Sequence, residues 1–146
     1  MWATYFGYGE IAKILPGRDD IDPNIPDSAR RTPLLWAACF GYEGVAEILL
    51  GRDDVDPNKP DNNGQTPLLW AACFGHGGVA KILLGRDDIN SDMSDDNDQT
   101  PFSCAAERGH EGVVELLLGR DNINPDKPDT RVNQHSHMPL EMATQE

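Results

Sequence analysis

Acidic and amide side chains at alternate positions are the pattern in this sequence closest to a metal site. They occur as Asp54, Asp56 and Asn58, and again at Asp20, Asp22, Asn24 and at Asp88, Asn90, Asp92. Such oxygen ligands open a calcium loop, but the loop also needs Gly at its sixth position and a bidentate Glu at its twelfth. In the copy that begins at Asp54, the sixth position is Lys59 and the twelfth is Gln65. We therefore interpret these residues as turn formers.

Other residues capable of chemistry are scattered. His135 and His137 have no further His or Cys near them in sequence, so they are a weak metal signal. The sequence contains no Gly-x-Ser-x-Gly elbow, no phosphate loop ending in Lys-Ser or Lys-Thr, and no His-Glu-x-x-His. We predict a chain that is not an enzyme and that uses no metal or cofactor.

The cysteines indicate reduced thiols. Cys39, Cys73 and Cys104 are too few and too dispersed for a disulfide framework. Cys39 and Cys73 occupy equivalent positions of a repeat, too far apart to pair if the units stack regularly. The N-terminus lacks a basic segment leading into an apolar run, so no signal peptide is predicted. We expect an intracellular protein, cytoplasmic or nuclear.

The charge balance restricts the partners. The net charge is −13, from 12 Lys and Arg against 25 Asp and Glu. Nucleic-acid binding depends on cationic side chains that neutralise phosphates, so DNA, RNA and anionic membranes are disfavoured. No apolar run approaches the roughly 18 residues of a membrane-spanning helix. A partner protein with a basic surface fits this charge better.

A repeat organises the chain. The ten residues from Thr32 to Gly41 return unchanged from Thr66, and a third copy begins at Thr100, with spacings of 66 − 32 = 34 and 100 − 66 = 34. Both ends fall inside a unit, which indicates either a segment of a longer array or an incomplete gene model. The predicted units are 1–31 (partial), 32–65, 66–99, 100–137 (with an extended connector) and 138–146 (the start of another).

Each unit is predicted to be a helix pair. Thr32 can cap a helix, Pro33 suits its first position, and Gly41 can end it in the left-handed conformation. A second helix is expected over 42–50, and a hairpin-like connector over 52–65. Two short helices cannot bury their apolar faces alone, whereas stacked neighbours can. The predicted fold is an all-α helix-turn-helix solenoid.

Two substitutions within the repeat are expected to have structural consequences. Trp2, Trp36 and Trp70 are predicted to lie in the shared core, and Cys104 takes their place in the third copy. The lost volume predicts repacking or weaker stacking there. In the connectors, Asp98 replaces the glycine found at position 64, which predicts backbone strain at that residue.

These motifs resemble the ankyrin repeat. The resemblance lies in Thr-Pro-Leu, x-x-Ala-Ala, the Gly-His-x-x-Val segments that begin at Gly75 and Gly109, and the hairpin tip Asp-x-x-Gly-x-Thr that begins at Asp61. The chain departs from the family at Leu35, Leu69 and Ser103, where a His is usual. The Gly-Arg-Asp-Asp connector is similar to that of fungal ankyrin arrays joined to a nucleotide-binding signalling module. The resemblance implies a right-handed stack of helix pairs that recognises another protein.

The resemblance also implies where a partner would bind. Ankyrin arrays use the ends of their first helices and the hairpin tips. The helix-end positions are Tyr5, Phe6, Cys39, Phe40, Cys73, Phe74, Glu107 and Arg108. The tip positions are Asn62, Asn63, Gln65, Asp96, Asn97 and Gln99. The phenylalanines would form a row along the concave face, closed by the charged pair.

Several alternatives remain open at this point. The phenylalanine rings could pack between units instead of facing a partner, and the polar tips could be solvated loops. The chain could be a spacer within a longer array attached to a nucleotide-binding signalling protein, or part of a parent enzyme or signalling NTPase. Apolar helix faces at uncapped ends would favour self-association.

Overall fold

A computed structural model describes residues 22–121 and 123–126 of the chain. Within these residues there are six α-helices and no strand. In chain order they are α1 (Pro33–Phe40), α2 (Glu43–Leu50), α3 (Pro67–Phe74), α4 (Gly77–Leu84), α5 (Pro101–Glu107) and α6 (Glu111–Leu118). The helices form three consecutive pairs, each beginning at a copy of the Thr-Pro motif. The predicted all-α fold of helix pairs is confirmed.

The first helix of each pair begins and ends as its residue types dictate. Thr32 Oγ1 accepts a hydrogen bond from the Leu35 amide (3.2 Å), which satisfies one free donor of the first turn. Gly41 ends α1 with φ of 74°. In the third unit, Ser103 and Thr100 cap each other reciprocally through side chain and backbone.

The glycines that end α1 and α3 also make room for a neighbouring unit. His76 Nε2 donates to the Cys39 carbonyl (3.0 Å), and His110 Nε2 donates to that of Cys73 (3.1 Å). A Cβ at position 41 would lie 2.6 Å from His76 Nδ1. Glycine is therefore required at position 41 by both the positive φ and the histidine ring.

The units stack helix against helix. α1 packs on α3 and α3 on α5, while α2 packs on α4 and α4 on α6. Alanines in the first helices let the backbones approach closely, and aliphatic side chains of the second helices close the other side. The fully buried members of this shared core include Leu34, Ala37, Ala38, Ala46, Leu68, Ala71, Ala72, Val79, Ala80, Leu83, Ala105 and Leu117.

Each hairpin tip is organised by an aspartate, half-buried at Asp27 and buried at Asp61 and Asp95. Asp61 Oδ1 accepts the amides of Asn63 and Gln65, both at 2.9 Å, and Asp61 is 5% exposed. Adjacent tips are joined by a backbone hydrogen bond from the Asp96 amide to the Asn63 carbonyl (3.0 Å). Asp98 has φ of 59°, so the predicted strain at this non-glycine residue is confirmed.

The Gly-Arg-Asp marker links neighbouring units. Arg86 Nη1 donates to the Leu50 carbonyl (2.9 Å) at the end of α2, and Arg120 Nη1 does the same to Leu84 (2.7 Å). The first bond satisfies a carbonyl that the helix end leaves free. Arg86 also pairs with Asp88 (2.8 Å), and this hydrogen bond lowers the pKa of the Asp88 carboxyl.

The connector residues that imitate a calcium loop form a hydrogen-bond ladder between units. Asn58 Nδ2 donates to the Asp88 carbonyl and Asn58 Oδ1 accepts the Asn90 amide, both at 2.8 Å. Asn24 makes the same two contacts with Asp54 and Asp56. One asparagine side chain thus pairs with a backbone N–H and a backbone carbonyl of the next connector. The two asparagines are one repeat apart, since 24 + 34 = 58.

We expect Asn58→Ala to destabilise the fold by about 1 kcal/mol, because it removes two hydrogen bonds between adjacent connectors, whose exposed backbone groups water can then solvate. Urea unfolding followed by circular dichroism measures the change. Asn62→Ala is the matched control, since Asn62 is an exposed tip residue. Equal stabilities of the two variants would contradict a structural role for the ladder.

Candidate functional site

Two aromatic pairs lie on the first-helix side of the stack. The Trp36 and Phe40 rings stack with centroids 5.6 Å apart, and those of Trp70 and Phe74 with centroids 5.4 Å apart. Each pair is four residues apart on its helix, so the two rings share one face. Phe40 and Phe74 are 42% and 45% exposed. The aromatic face, as we define it, comprises Arg31, Trp36, Phe40, Trp70, Phe74 and Arg108.

The predicted core position of the tryptophans is wrong for the two that the structure describes. Trp36 and Trp70 are only half-buried. Their indole N–H groups donate to Asp27 Oδ2 (3.1 Å) and to Asp61 Oδ2 (3.4 Å), the carboxylates that organise the hairpin tips. An indole needs an acceptor for its N–H, and these carboxylates hold it at the edge of the core. Trp2 lies outside the described residues.

Arg31 lies between the two tryptophans and was not predicted as a site residue. Its guanidinium carbon is 5.1 Å from the Trp36 ring centroid and 5.6 Å from that of Trp70. The Nε atom is buried and has no hydrogen-bond partner in the described part of the chain. The equivalent positions, 31 + 34 = 65 and 65 + 34 = 99, hold glutamine. An arginine at a position where the other units have glutamine was the feature of the sequence that could have marked Arg31 as a site residue.

A cleft of about 180 Å³ opens beside Phe74. The Arg108 guanidinium carbon lies 6.0 Å from the Phe74 ring centroid at its edge. Several residues predicted from the two motifs meet here, helix-end residues from one side and tip residues from the other. The lining comprises Gln65, Leu69, Trp70, Cys73, Phe74, Asp95, Asn97, Gln99 and Arg108.

The predicted site residues differ in accessibility. Those with exposed side chains are Phe40, Asn62, Asn63, Phe74, Asp96, Asn97, Glu107 and Arg108, while Cys39 and Gln65 are half-buried. Gln99 is 3% exposed and donates to Glu107 Oε2 (3.2 Å), so it offers little surface to a partner. Tyr5 and Phe6 lie outside the described residues. The participation of all these residues in binding stays a prediction.

The expectation of three reduced thiols is wrong for two cysteines, because Cys73 and Cys104 form a disulfide with Cα atoms 5.1 Å apart. The two cysteines that pair are not at equivalent positions of their repeats. Cys104 occupies the tryptophan position, 104 − 34 = 70, and Cys73 lies three residues after Trp70. This places them diagonally across α3 and α5. The two half-cystines form a small buried cluster with Leu69.

Cys39 retains a free thiol and is half-buried. Its burial raises the pKa of the thiol, an effect that the nearby charge of Arg31 partly opposes. The protonated thiol therefore predominates at neutral pH, which disfavours a nucleophilic role.

Neither a metal cluster nor a membrane-spanning segment occurs in the described part of the chain. Its His, Cys, Asp and Glu side chains form no group of three or more that could hold a metal ion. Its helices have seven or eight residues, far fewer than the roughly 20 needed to cross a bilayer.

Comparison with known families agrees with this architecture. The family model described as ankyrin repeats (3 copies) matches residues 1–93 and 53–129. No curated protein matches the chain significantly. Ankyrin repeats generally act as protein–protein interaction modules, and members of the family are typically non-catalytic. With helix pairs that repeat every 34 residues and a family match over most of its length, this chain belongs to the ankyrin repeat family.

Proposed function

We propose that the chain is a non-catalytic module that binds another protein across its aromatic face. The observation that supports this most is the exposure of Phe40 and Phe74 on one side of the stack, each backed by a tryptophan. A contiguous exposed apolar surface usually marks an interaction site.

The stacked pairs are suited to anchoring a partner. Large aromatic side chains contribute much of the binding energy at protein interfaces, because they bury a large area with few rotatable bonds. Here the stacked tryptophan restricts each phenylalanine before binding. Binding therefore costs less side-chain entropy, because these rings are already ordered in the free chain.

The surrounding charge indicates the character of the partner. Asp96 and Asp98 are exposed at a hairpin tip beside the aromatic face, and the chain carries a net charge of −13. Basic groups on the partner, placed around an apolar contact, would complement these carboxylates and speed association. Self-association through uncapped ends stays a second prediction, which light scattering can check.

We further propose that the chain is a segment of a larger intracellular protein. The repeat pattern continues into both ends of the sequence, at 1–31 and 138–146. In a reducing compartment the Cys73–Cys104 pair would be mainly in the thiol form.

The proposal is tested by selecting binders for the whole chain from a library of random 12-residue peptides displayed on phage. We expect Phe40→Ser and Phe74→Ser each to weaken a selected peptide by tenfold or more, as roughly expected for loss of an aromatic anchor. Leu118→Ser is the matched control, because Leu118 is 55% exposed at the end of α6, away from the aromatic face.

Thermal unfolding separates binding from folding. The phenylalanine variants should keep a Tm within a few degrees of the wild type, since substitutions of exposed residues cost little stability. A spacer would yield no peptide whose binding depends on Phe40 or Phe74. That result would exclude the aromatic face as a binding site and favour the structural alternative.

A further inference from the structure

Arg31 is a cation in the aromatic face, beside Trp36 and Trp70, and it forms no ion pair with any residue that the structure describes. Within residues 22–121 and 123–126, the ion pairs are Arg52–Asp54 and Arg86–Asp88. The guanidinium of Arg31 has no hydrogen-bond acceptor among these residues, and its Nε is buried. A buried donor without a partner is uncommon in folded proteins.

The carboxylates of the two adjoining hairpin tips already accept hydrogen bonds from other donors. Asp27 Oδ1 accepts the amides of Ala29 and Arg31, and its Oδ2 accepts the Trp36 indole. Asp61 holds the next hairpin and the Trp70 indole in the same way. These two aspartates therefore position the tryptophans and not the guanidinium.

The tryptophans orient the guanidinium for a ligand. The Arg31 guanidinium carbon lies within cation–π distance of two indole rings, at 5.1 Å from Trp36 and 5.6 Å from Trp70. Cation–π contact holds a guanidinium in place, and hydrogen bonds then form only along its edge. A carboxylate that approaches in the plane can accept two such bonds at once, with a geometry fixed before binding.

We propose that Arg31 binds an acidic side chain of the partner, so that the recognised segment carries an aspartate or glutamate next to its apolar contact with Phe40 and Phe74. This inference rests on the proposed function and specifies its partner. A single carboxylate suits the site better than a polyanion, because the net charge of −13 repels nucleic acids and anionic membranes. Basic residues on either side of that carboxylate would meet the acidic tips.

The test uses the peptides selected on the wild-type chain. We expect them to share one acidic position. A twin peptide with Asn or Gln at that position should bind wild type about tenfold more weakly, as expected for a charge-assisted pair. Arg31→Gln, which installs the residue of the two equivalent positions, should cause a similar loss. Arg31→Lys should retain only part of the wild-type affinity for the acidic peptide, because an ammonium group cannot donate two parallel hydrogen bonds to a carboxylate as a planar guanidinium can.

A double-mutant cycle separates recognition from a structural role of Arg31. If Arg31 pairs with the acidic residue, Arg31→Gln should weaken the acidic peptide and leave the affinity of the twin nearly unchanged. If Arg31 only stacks between the tryptophans, both peptides lose affinity equally, and the inference is overturned. Selected peptides without a shared acidic position overturn it as well.

The outcomes also distinguish this inference from the proposed function. Peptides that depend on Phe74 but not on Arg31 would leave the protein-binding role intact and remove the acidic specificity. Peptides that bind regardless of Phe40 and Phe74, or a library that yields none, would overturn both.

Discussion

Reduction of the Cys73–Cys104 disulfide should lower the free energy of unfolding by about 3–4 kcal/mol. This is the value that the chain-entropy model gives for a closed loop of 31 residues. The cross-link acts mainly on the unfolded chain, in which it keeps residues 73 and 104 together and so reduces the conformational entropy. The measurement is urea unfolding of the whole chain with and without a phosphine reductant, followed by circular dichroism.

The location of the disulfide predicts which helices lose stability on reduction. It joins α3 to α5, and Cys104 fills a position where the preceding units have a tryptophan. Leu69 is the apolar side chain packed with the two half-cystines in this cluster, so little other apolar packing replaces the bond. Hydrogen exchange should therefore show α5 and α6 opening first after reduction, while α1 to α4 keep more protection.

Two cysteine variants control this experiment. Cys39→Ser leaves the bond intact, so it should lose the same stability on reduction as the wild type. The Cys73→Ser, Cys104→Ser double variant should not respond to the reductant. Three titratable thiols in the folded, air-oxidised wild type would show that the bond does not form and would refute the prediction.

Local signals explain why the helices could be predicted from sequence. The helix expected to open at Pro33 and end at Gly41 is α1, and the one expected over 42–50 is α2, found as Glu43–Leu50. Capping threonines, first-position prolines and terminal glycines act over a few residues, so they need no knowledge of the neighbours. Repetition at 34 residues then makes stacking the only way to bury the apolar faces.

Contacts between units are what the sequence did not reveal. Cys73 pairs with Cys104 because adjacent first helices bring together positions that differ by one helical turn, and this offset cannot be read from a list of equivalent residues. The Asn58 ladder and the position of Arg31 between two tryptophans likewise depend on how one unit sits on the next. The periodic asparagines at 24 and 58 were visible, but their partners lie 30 or more residues away. The cation at 31 was also visible, but one of its two tryptophans, Trp70, belongs to the next unit, 70 − 31 = 39 residues away.

This explains why the aromatic face was only partly predicted. The phenylalanines were placed by the family pattern, which marks the ends of the first helices. The tryptophans were assigned to the core because large apolar residues are usually buried. They lie at the edge of the core instead, because their indole N–H groups donate to the tip aspartates at the rim of the stack.

Asp61→Ala should be among the most damaging single substitutions in the described part of the chain, at about 3 kcal/mol. It removes a buried carboxylate that accepts two amides, both at 2.9 Å, and the Trp70 indole at 3.4 Å. A hydrogen bond to a charged group contributes roughly 1.5–3 kcal/mol net to stability, and the three bonds share one acceptor group. Because Trp70 then loses the bond that holds it against Arg31, affinity for a peptide selected on the aromatic face should fall together with stability.

Asp95→Ala separates the two effects of Asp61. Asp95 accepts the same pair of tip amides at 2.9 Å, but position 104 in its unit is a half-cystine and offers no indole. Asp95→Ala should therefore cost about 1 kcal/mol less than Asp61→Ala, the net value of one hydrogen bond. Asp61→Asn keeps one oxygen for the tip amides but places an NH2 donor opposite the indole N–H, so it should lose the indole bond and retain uncharged hydrogen bonds to the tip. Urea unfolding gives the three stabilities, and equal losses for Asp61→Ala and Asp95→Ala would mean that the aspartate closes the hairpin without positioning the tryptophan.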